Sequence, residues 1–353
     1  MGSDDSRLRE HAKAAQRPRI VALGGGHGLS TLLRGLKHQP CDLTAIVTVA
    51  DDGGSSGVLR RETGMLPPGD LRRCIAALAE AEPLMSQLFE YRFGRGAGLD
   101  GHAFGNLFIA AMAGIMGDFE RGLGEASRVL KVKGRVFPAS LENVALCAEV
   151  CLPDGETRLV VQGQSQIAKA GGIVERVYLQ PNEPKAYPAA IGALLSADMI
   201  LLGPGSLYTS VLPNMLVPDI LHAIRASTAF KVYVCNVATQ PGETTGYTAG
   251  DHVWALAEHM GGKFGECVDC VLANGNTAFS WHSTVASTMV LPTLESGIGR
   301  PDQPECTLIL EDLVDRALPW RHDADRLAEA LMRLWRERAG TCPDMAVAQD
   351  RLP

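Results

Sequence analysis

The sequence predicts an α/β fold with a mainly parallel sheet, helices on both faces of that sheet and one antiparallel insertion. Two observations carry this prediction. Short apolar runs alternate with helical patterns along most of the chain, which is typical of a parallel sheet flanked by helices. In the middle of the chain, β-rich runs instead follow one another with turn residues between them, which indicates antiparallel pairing.

The first unit is a strand, a glycine-rich turn and a helix. An apolar run at residues 20–23 leads into Gly24-Gly25-Gly26-His27-Gly28-Leu29, and a helical pattern covers residues 29–36. Glycines let the backbone approach a ligand, and a helix N-terminus offers free N–H groups to a phosphate. A plain strand-to-helix turn is the alternative. The spacing does not match the NAD fingerprint, whose third glycine would fall on Leu29 or Thr31.

The second unit ends in an acidic turn. A strand predicted at residues 43–49 is followed by Asp51, Asp52 and the run Gly53-Gly54-Ser55-Ser56-Gly57. An acid at the end of the second strand of such a fold often holds a nucleotide ribose. Carboxylate oxygens also suit Mg²⁺, so Asp51 and Asp52 are the candidate magnesium ligands.

Several helices follow this turn. The run Pro67-Pro68-Gly69 breaks the chain before a helix predicted at residues 71–81, where Asp70 is either the N-cap or a ligand contact. A second helix is expected to run to residue 91. His102 to Asn106 then open an apolar helix at residues 107–116.

The middle of the chain predicts a β-hairpin. The runs at residues 143–151 and 157–162 flank Pro153-Asp154-Gly155-Glu156, and another strand is expected at residues 174–179. Nothing in the flanking composition resembles a linker. We therefore expect one domain over residues 19–339, with residues 143–180 as an insertion, a disordered tail at residues 1–18 and a second tail at residues 340–353.

Four predicted strand ends carry polar, glycine-rich loops. The later two strands, at residues 199–202 and 231–237, lead into loops at 203–210 and 236–244. Ligands bind at the carboxyl ends of the strands of an open parallel sheet, so these loops are expected to form one crevice. The loops contain few cations, which leaves phosphate to backbone amides, helix dipoles or a metal. The predicted binding residues are Gly24, Gly25, Gly26, His27, Gly28, Leu29, Asp51, Asp52, Ser55, Ser56, Asn106, Gly203, Gly205, Ser206, Tyr208, Thr209, Asn236, Thr239 and Tyr247.

Bulk properties exclude several classes of function. The 353 residues carry a net charge of −7, which argues against nucleic-acid binding by bulk electrostatics. The longest apolar run, residues 104–116, is about half of the roughly 20 residues that span a membrane. No signal peptide is visible, so the nine cysteines are expected to be reduced in the cytoplasm. The lone Cys267-Val268-Asp269-Cys270 pattern, and the pair Cys147 and Cys151, are poor evidence for a metal site.

Several of these motifs resemble the YvcK family, also called gluconeogenesis factors, within the superfamily of CofD, the 2-phospho-L-lactate transferase. The resemblance runs in order over about residues 19–259. It is carried by residues 24–29, 46–57, 67–70, 102–106, 117–119, 203–212 and 242–248.

The resemblance implies a three-layer α/β/α fold with a Rossmann-like core, a cytoplasmic protein, and a role in growth on gluconeogenic carbon sources and in cell shape. It implies binding of UDP-sugars such as UDP-N-acetylglucosamine, with Arg321 as a further binding residue. Where the family turn carries threonine this chain has His27, and Trp281 and His282 stand where a family tyrosine is expected. We also expect a homodimer, with protein partners in cell-wall or carbon metabolism.

Three functions are compatible with the sequence. The first is a regulatory protein that binds a nucleotide-sugar without turnover. The second is a CofD-like transferase that moves a phosphate-linked group with Mg²⁺. The third, a NAD-dependent oxidoreductase, is disfavoured by the glycine spacing. His27 and His102 could act as acid or base or only donate structural hydrogen bonds, and Tyr208 and Tyr247 either stack on a base or pack in the core.

Overall fold

A seven-stranded parallel sheet forms the centre of the molecule. The computed structural model describes residues 17–340 except 81–82, 95, 97, 279–286 and 301–303. The strands of both sheets are β1 Arg19–Gly24, β2 Asp42–Val47, β3 Arg135–Pro138, β4 Ala145–Cys151, β5 Arg158–Gln162, β6 Ile173–Gln180, β7 Met199–Leu202, β8 Phe230–Val234, β9 Cys270–Asn274 and β10 Thr307–Glu311. The large sheet has the order β10-β9-β8-β7-β1-β2-β3, with all neighbours parallel. The predicted α/β class is confirmed.

Helices cover both faces of this sheet. They are α1 Gly26–Leu36, α2 Gly54–Thr63, α3 Gly69–Leu78, α4 Pro83–Glu90, α5 Phe104–Met116, α6 Phe119–Val129, α7 Gln164–Ile167, α8 Pro188–Ser196, a π-helix Leu207–Val211, α9 Leu212–Met215, α10 Pro218–Ala226, α11 Ala249–His259, α12 Phe264–Cys267 and α13 Ala324–Arg338. None of the helices in the described residues has both the length and the apolar character needed to cross a bilayer.

Alternate residues of the central strands supply two separate cores. Ile20 and Ala22 of β1 pack with α1, α3 and α13 on one face, whereas Val21 and Leu23 pack with α8 to α11 on the other. This division follows from the two-residue period of a strand. Both faces are covered, so the strands read as continuous apolar runs. The register sets Leu23 beside Ile46 and Leu202, so that β1, β2 and β7 end at the same edge.

The insertion forms a sheet of its own. The predicted hairpin of β4 and β5 is confirmed, and β6 pairs with β4 on its other side in the order β5-β4-β6. The three antiparallel strands are thus a second sheet, not an extension of the parallel one. Leu146, Ala148 and Val150 of β4, with Val177 of β6, are buried in the core that includes Leu23 and Ile46.

Two local predictions are wrong. The run from Gly53 to Gly57 is not a simple turn, because helix α2 begins at Gly54. Asp70 does not cap α3: the N-cap is Pro68, the helix begins at Gly69, and no side-chain capping bond is made. Asp70 instead lies in the first helical turn, where its carboxylate pairs with Arg73, one turn later in the same helix.

Candidate functional site

A cleft of about 730 Å³ opens at the carboxyl edge of the parallel sheet. Its walls come from the turns after β1 and β2, the start of α3, and the loops after β7 and β8. This is the position at which open α/β sheets bind ligands. The volume falls within the roughly 300–1,000 Å³ typical of small-molecule sites.

The structure brings most of the predicted binding residues together around this cleft. Those in its lining are Gly25, Gly26, His27, Gly28, Asp51, Ser55, Ser56, Asn106, Gly205, Ser206, Thr209, Asn236, Thr239 and Arg321. The others are outside the lining: Gly24, Leu29, Asp52, Gly203, Tyr208 and Tyr247. Leu29 is fully buried in the core. Trp281 and His282 lie outside the described residues.

The turn after β1 presents an uncapped helix N-terminus to the cleft. Helix α1 begins at Gly26, and its N-cap, Gly25, has no side chain to satisfy the first N–H groups. A Cβ on Gly28 would stand 2.5 Å from the Pro204 carbonyl oxygen, so the glycine allows the two turns to touch. The Asp70 carboxylate already accepts the Gly26 N–H, and the remaining N–H groups of the first turn, with the helix dipole, favour an anion here.

A second helix N-terminus lines the same cleft. Helix α2 begins after Gly53, again without a side-chain cap. The Ser55 hydroxyl lies 3.1 Å from His102 Nδ1 and accepts hydrogen bonds from Asn106 Nδ2, at 3.0 Å, and from the Ala103 N–H. The contact between Ser55 and His102 was not predicted from the sequence. Together, Ser55, His102, Ala103 and Asn106 join the start of α2 to the start of α5.

Asp51 lines the cleft together with Asp70, whereas Asp52 lies outside the cleft lining. Asp51 Oδ1 accepts the Gly53 N–H at 2.9 Å. Asp70 is buried, and desolvation followed by the negative charge of Asp51 raises its pKa. Asp52 accepts the Ser165 N–H at 2.8 Å, which anchors the start of α7 in the insertion. Asp51 and Asp70 therefore both line the cleft, where Glu243 is a third carboxylate.

The expectation of few cations in the cleft is wrong. Besides Arg321, the lining includes Arg72 and Arg73 of α3 and Arg92 of the loop after α4. Partial burial, followed by the charges of Arg73 and Arg321, lowers the pKa of His27, so its imidazole is neutral at pH 7. The sequence signal for Arg72 and Arg73 was their position just after the Pro-Pro-Gly-Asp turn.

The loops after β7 and β8 form the opposite wall. Asn236 holds Gly205 by two hydrogen bonds, accepting its N–H and donating to its carbonyl oxygen. Gln240 Nε2 donates to Ser206 Oγ at 2.6 Å. Thr209 lies in the π-helix, a rare element that often occurs at functional sites. Its hydroxyl contacts both carboxylate oxygens of Glu243, at 3.1 and 3.2 Å.

Tyr208 and Tyr247 belong to the protein core. Both are buried, and their hydroxyl groups are 2.8 Å apart. Arg300 donates to both hydroxyls, and its guanidinium lies over the rings of Tyr247 and Trp254 at 4.7 and 4.2 Å. Among the described residues, the tryptophan that lines the cleft is Trp320, which is partly exposed.

Unsatisfied polar atoms are concentrated at the cleft. Buried groups in folded proteins almost always have a hydrogen-bond partner. Within the described residues, five buried side-chain atoms without one belong to residues that line the cleft: Asp70 Oδ2, Arg72 Nε, Asn106 Oδ1, Gln164 Oε1 and Gln240 Oε1. The chemistry of the cleft is therefore mixed, with donors, acceptors, cations and carboxylates left for a polar occupant.

One pair of carboxylates in the cleft has the chemistry to bind a metal ion. No group of three or more histidine, cysteine, aspartate or glutamate side chains that could hold a metal is present within the described residues. The eight described cysteines are free thiols. Asp51 and the unpartnered Asp70 Oδ2 are suitable ligands for a hard cation whose remaining ligands come from phosphate or water.

Comparison with known proteins agrees with this architecture. A family model for the 2-phospho-L-lactate transferase CofD matches residues 20–289. The chain therefore belongs to the CofD family. Its relatives place it in the gluconeogenesis-factor group of that family, the group that the sequence motifs predicted.

Three relatives illustrate the match. A Nostoc sp. protein is 54% identical over 267 residues, which is 76% of this chain and 57% of that protein. The chain thus spans little more than half the length of this relative. A Bacillus subtilis protein named gluconeogenesis factor is 53% identical over 73% of this chain and 79% of its own length. A solved structure of a UPF0052 family protein from Bacillus halodurans has a TM-score of 0.81 and 45% identity, over 90% of this chain and 99% of that one.

Proposed function

We propose that this chain binds a nucleoside-diphosphate sugar, such as UDP-N-acetylglucosamine, and acts as a cytoplasmic regulator of gluconeogenic carbon metabolism and cell shape without consuming its ligand. The observation that carries the proposal is the set of orphaned donors and acceptors in the cleft. The name of the Bacillus subtilis relative, gluconeogenesis factor, supports the metabolic role.

The diphosphate would lie between the two uncapped helix N-termini. The first turns of α1 and α2 offer N–H groups, and Arg72, Arg73 and Arg321 offer positive charge across the cleft. Burial lowers the pKa of Arg72 to about 10, so its guanidinium remains charged at pH 7. The orphaned Nε of Arg72 can then donate to a phosphate oxygen.

Asp51 and Asp70 would hold Mg²⁺ beside that diphosphate. A bound Mg²⁺ would neutralise phosphate charge next to these two carboxylates. Asp70 Oδ1 is occupied by Arg73 at 2.6 Å, which leaves Oδ2 as its ligand atom. For the base, Trp320 offers the exposed aromatic face that Tyr208 and Tyr247 do not.

A CofD-like transferase is the second candidate. The observation that favours it is the same acidic pair, together with the CofD family match. In that function a phosphate-linked group would pass from a nucleotide-activated donor to an alcohol acceptor, with release of the nucleotide. The Ser55 and His102 contact gives it little support, because the serine hydroxyl is already engaged by Ala103 and Asn106.

Calorimetry with product analysis separates the two functions. We expect UDP-N-acetylglucosamine to bind with one site per chain, more tightly when Mg²⁺ is present, and to be recovered unchanged after long incubation. A guanylylated phospholactate with an alcohol acceptor tests the transferase. Multiple turnovers that disappear in Asp51→Asn would replace the regulatory proposal with the transferase. Absence of any binding by uridine or guanosine diphosphate compounds would remove both.

A further inference from the structure

The antiparallel insertion reaches the cleft through its short helix α7. Gln164 and Ser165 of this helix, with Ala168 directly after it, belong to the lining of the cleft. Most of the other walls come from the carboxyl ends of the parallel strands, which is the ordinary binding edge of such a sheet. Helix α7 is therefore an element that the insertion adds to that edge.

Several contacts fix the position of α7. Asp52 accepts the Ser165 N–H at 2.8 Å, so the acidic turn after β2 holds the start of the helix. The Gly163 N–H donates to the Leu146 carbonyl oxygen of β4 at 2.7 Å. Ile167, at the end of the helix, is fully buried. Groups held in place in this way lose little freedom when a ligand binds.

Helix α7 lies between the acidic turn and the loop after β8. A Cβ on Gly53 would stand 3.8 Å from Ser165 Cβ and 3.3 Å from Asp51 Oδ1. On the other side, the Ala168 carbonyl oxygen occupies the space that a Cβ on Gly242 would need. A group attached to a diphosphate bound beside Asp51 would therefore be within reach of both α7 and the loop after β8.

Two glutamine side chains in this part of the cleft each have an orphaned carbonyl oxygen. Gln164 Oε1 and Gln240 Oε1 are buried and have no hydrogen-bond partner among the described residues. Gln240 Nε2 already donates to Ser206 Oγ, so the oxygen is the atom of this amide that is left. Carbonyl oxygens only accept hydrogen bonds, so an occupant must supply donors to both.

The charges nearby disfavour an acidic occupant. Neither α7 nor the loop at residues 236–244 contains a lysine or an arginine. A carboxylate placed there would offer only acceptors to the two amide oxygens, and it would lie in the part of the cleft that Glu243 also lines. Hydroxyl groups and amide N–H groups can satisfy both oxygens without adding charge.

We propose that Gln164 of the insertion and Gln240 of the loop after β8 recognise the group that the nucleotide carries, and that they select a sugar over a carboxylate-bearing group. Their oxygens would accept hydrogen bonds from the sugar hydroxyl or acetamido N–H groups. The inference rests on the proposed function, which places the diphosphate beside Asp51. It gives the antiparallel insertion a role in ligand specificity.

Calorimetry with UDP and with UDP-N-acetylglucosamine, both in the presence of Mg²⁺, tests the inference, because only the second ligand carries the sugar. Gln164→Leu and Gln240→Leu should each weaken the binding of UDP-N-acetylglucosamine by about tenfold and leave that of UDP unchanged. Gln166→Leu is the matched control, since this glutamine of α7 is exposed and outside the cleft lining. It should keep both affinities.

A carboxylate-bearing ligand gives a second measurement on the unmodified protein. A guanylylated phospholactate should bind no more tightly than GDP, because its carboxylate would meet the two amide oxygens. Tighter binding than that of GDP would overturn the inference.

The variants can also overturn it. The inference fails if folded Gln164→Leu loses no affinity for UDP-N-acetylglucosamine, or if it loses affinity for UDP by the same factor. If thermal unfolding shows that Gln164→Leu does not fold, Gln240→Leu decides by the same criteria. Binding of neither UDP nor UDP-N-acetylglucosamine by the unmodified protein would instead reject the proposed function, and this inference with it.

Discussion

The two edges of the parallel sheet each carry a depression, but they differ in how their polar groups are satisfied. At the amino edge a pocket of about 390 Å³ is lined by residues that precede or begin β7, β8 and β9 and by the end of α13. Its polar groups have partners: Asp198 accepts two hydrogen bonds from the Arg19 guanidinium, and Asp269 accepts the Lys231 backbone N–H. Lys231 Nζ donates to the Glu266 carbonyl oxygen at 3.2 Å.

At the carboxyl edge several buried polar atoms are left without a partner. Five residues of the cleft have an orphaned buried atom, whereas none of the orphaned atoms in the described chain belongs to the lining of the amino-edge pocket. A concave surface alone therefore does not identify a site in this fold. The cluster of five orphaned atoms is what distinguishes the carboxyl-edge cleft, since the other four in the described residues, on Asn214, Arg225, His252 and Asp312, belong to neither lining.

The largest effect should come from closing the carboxyl-edge cleft. In Gly25→Val the new Cβ would lie 2.5 Å from Asp70 Oδ2 and 3.0 Å from Thr48 Cγ2, with the rest of the side chain in the path of the phosphate. We expect the affinity for UDP-N-acetylglucosamine, measured by calorimetry, to fall by at least about 100-fold. Gly124→Val is the control, since no heavy atom lies within 4 Å of its Cβ position. Equal affinity in both variants would reject the phosphate site.

Replacing one arginine at each edge of the sheet tests directly which edge binds the ligand. Arg72→Gln removes the buried guanidinium with the orphaned Nε, and should weaken binding by about 2 kcal/mol, or about 30-fold. Arg338→Gln removes a guanidinium that lines the amino-edge pocket over the Phe230 ring, and should leave the affinity unchanged. A loss of affinity in Arg338→Gln would show that the ligand uses the other edge.

The strand ends of this cleft were predictable from the sequence, but its cations were not. The glycine turns after β1 and β7 can be recognised from the local sequence, because a backbone that approaches a ligand closely requires glycine. Arg72 sits on a helix, and only packing decides which side of α3 faces the cleft: Gly105 of α5 leaves the space into which Arg72 extends. For Tyr208 the sequence left base stacking and core packing open; the residue lies in a π-helix and is buried in the core.

Strands β9 and β10, at one side of the large sheet, could not be predicted from the sequence either. Strand β10 has only partly buried or exposed residues, so its apolar pattern is weak. Strand β9 is five buried residues that periodicity cannot distinguish from a helical segment. In both cases pairing with a neighbour, not local propensity, determines the strand. The antiparallel insertion was predictable because its turn residues and alternating pattern lie close together in sequence.

The neighbouring residues Asp51 and Asp52 are expected to have different functions. Asp51→Asn removes a charge from the cleft and should abolish most of the increase in affinity that Mg²⁺ gives, an effect of about tenfold. Asp52→Asn keeps an oxygen that can accept the Ser165 N–H, so both binding and folding should be preserved. Calorimetry with and without Mg²⁺ measures both. A loss confined to Asp52→Asn would reverse the assignment.

The two edges also carry one tryptophan each. Stacking on a base contributes about 1–3 kcal/mol, so Trp320→Ala should weaken nucleotide binding by roughly tenfold. Trp335, in the amino-edge pocket, packs against the core, so Trp335→Ala should lower the melting temperature and leave the affinity intact. Quenching of Trp320 fluorescence by the ligand gives an independent measurement. Undiminished affinity in Trp320→Ala would exclude it as the base platform.

The smallest effect concerns pH. Desolvation raises the pKa of Glu243 to about 7, and the hydrogen bonds from Thr209 and the nearby backbone only partly oppose this. Glu243 is therefore mostly neutral at pH 6 and charged at pH 8, where it repels an anionic ligand in the same cleft. Affinity for the diphosphate should fall by roughly three- to tenfold as pH rises through 7.

Glu243→Gln isolates this contribution, because glutamine keeps the shape of the side chain and does not titrate. The profile is measured without Mg²⁺, because only then does deprotonation of Asp70, whose pKa is also raised, change the affinity in the same direction; this contribution remains present in the variant. His27 stays neutral over the same pH range. The variant should therefore lose the part of the pH profile centred near 7 and keep high affinity at pH 8. An unchanged profile would place the titrating group elsewhere in the cleft.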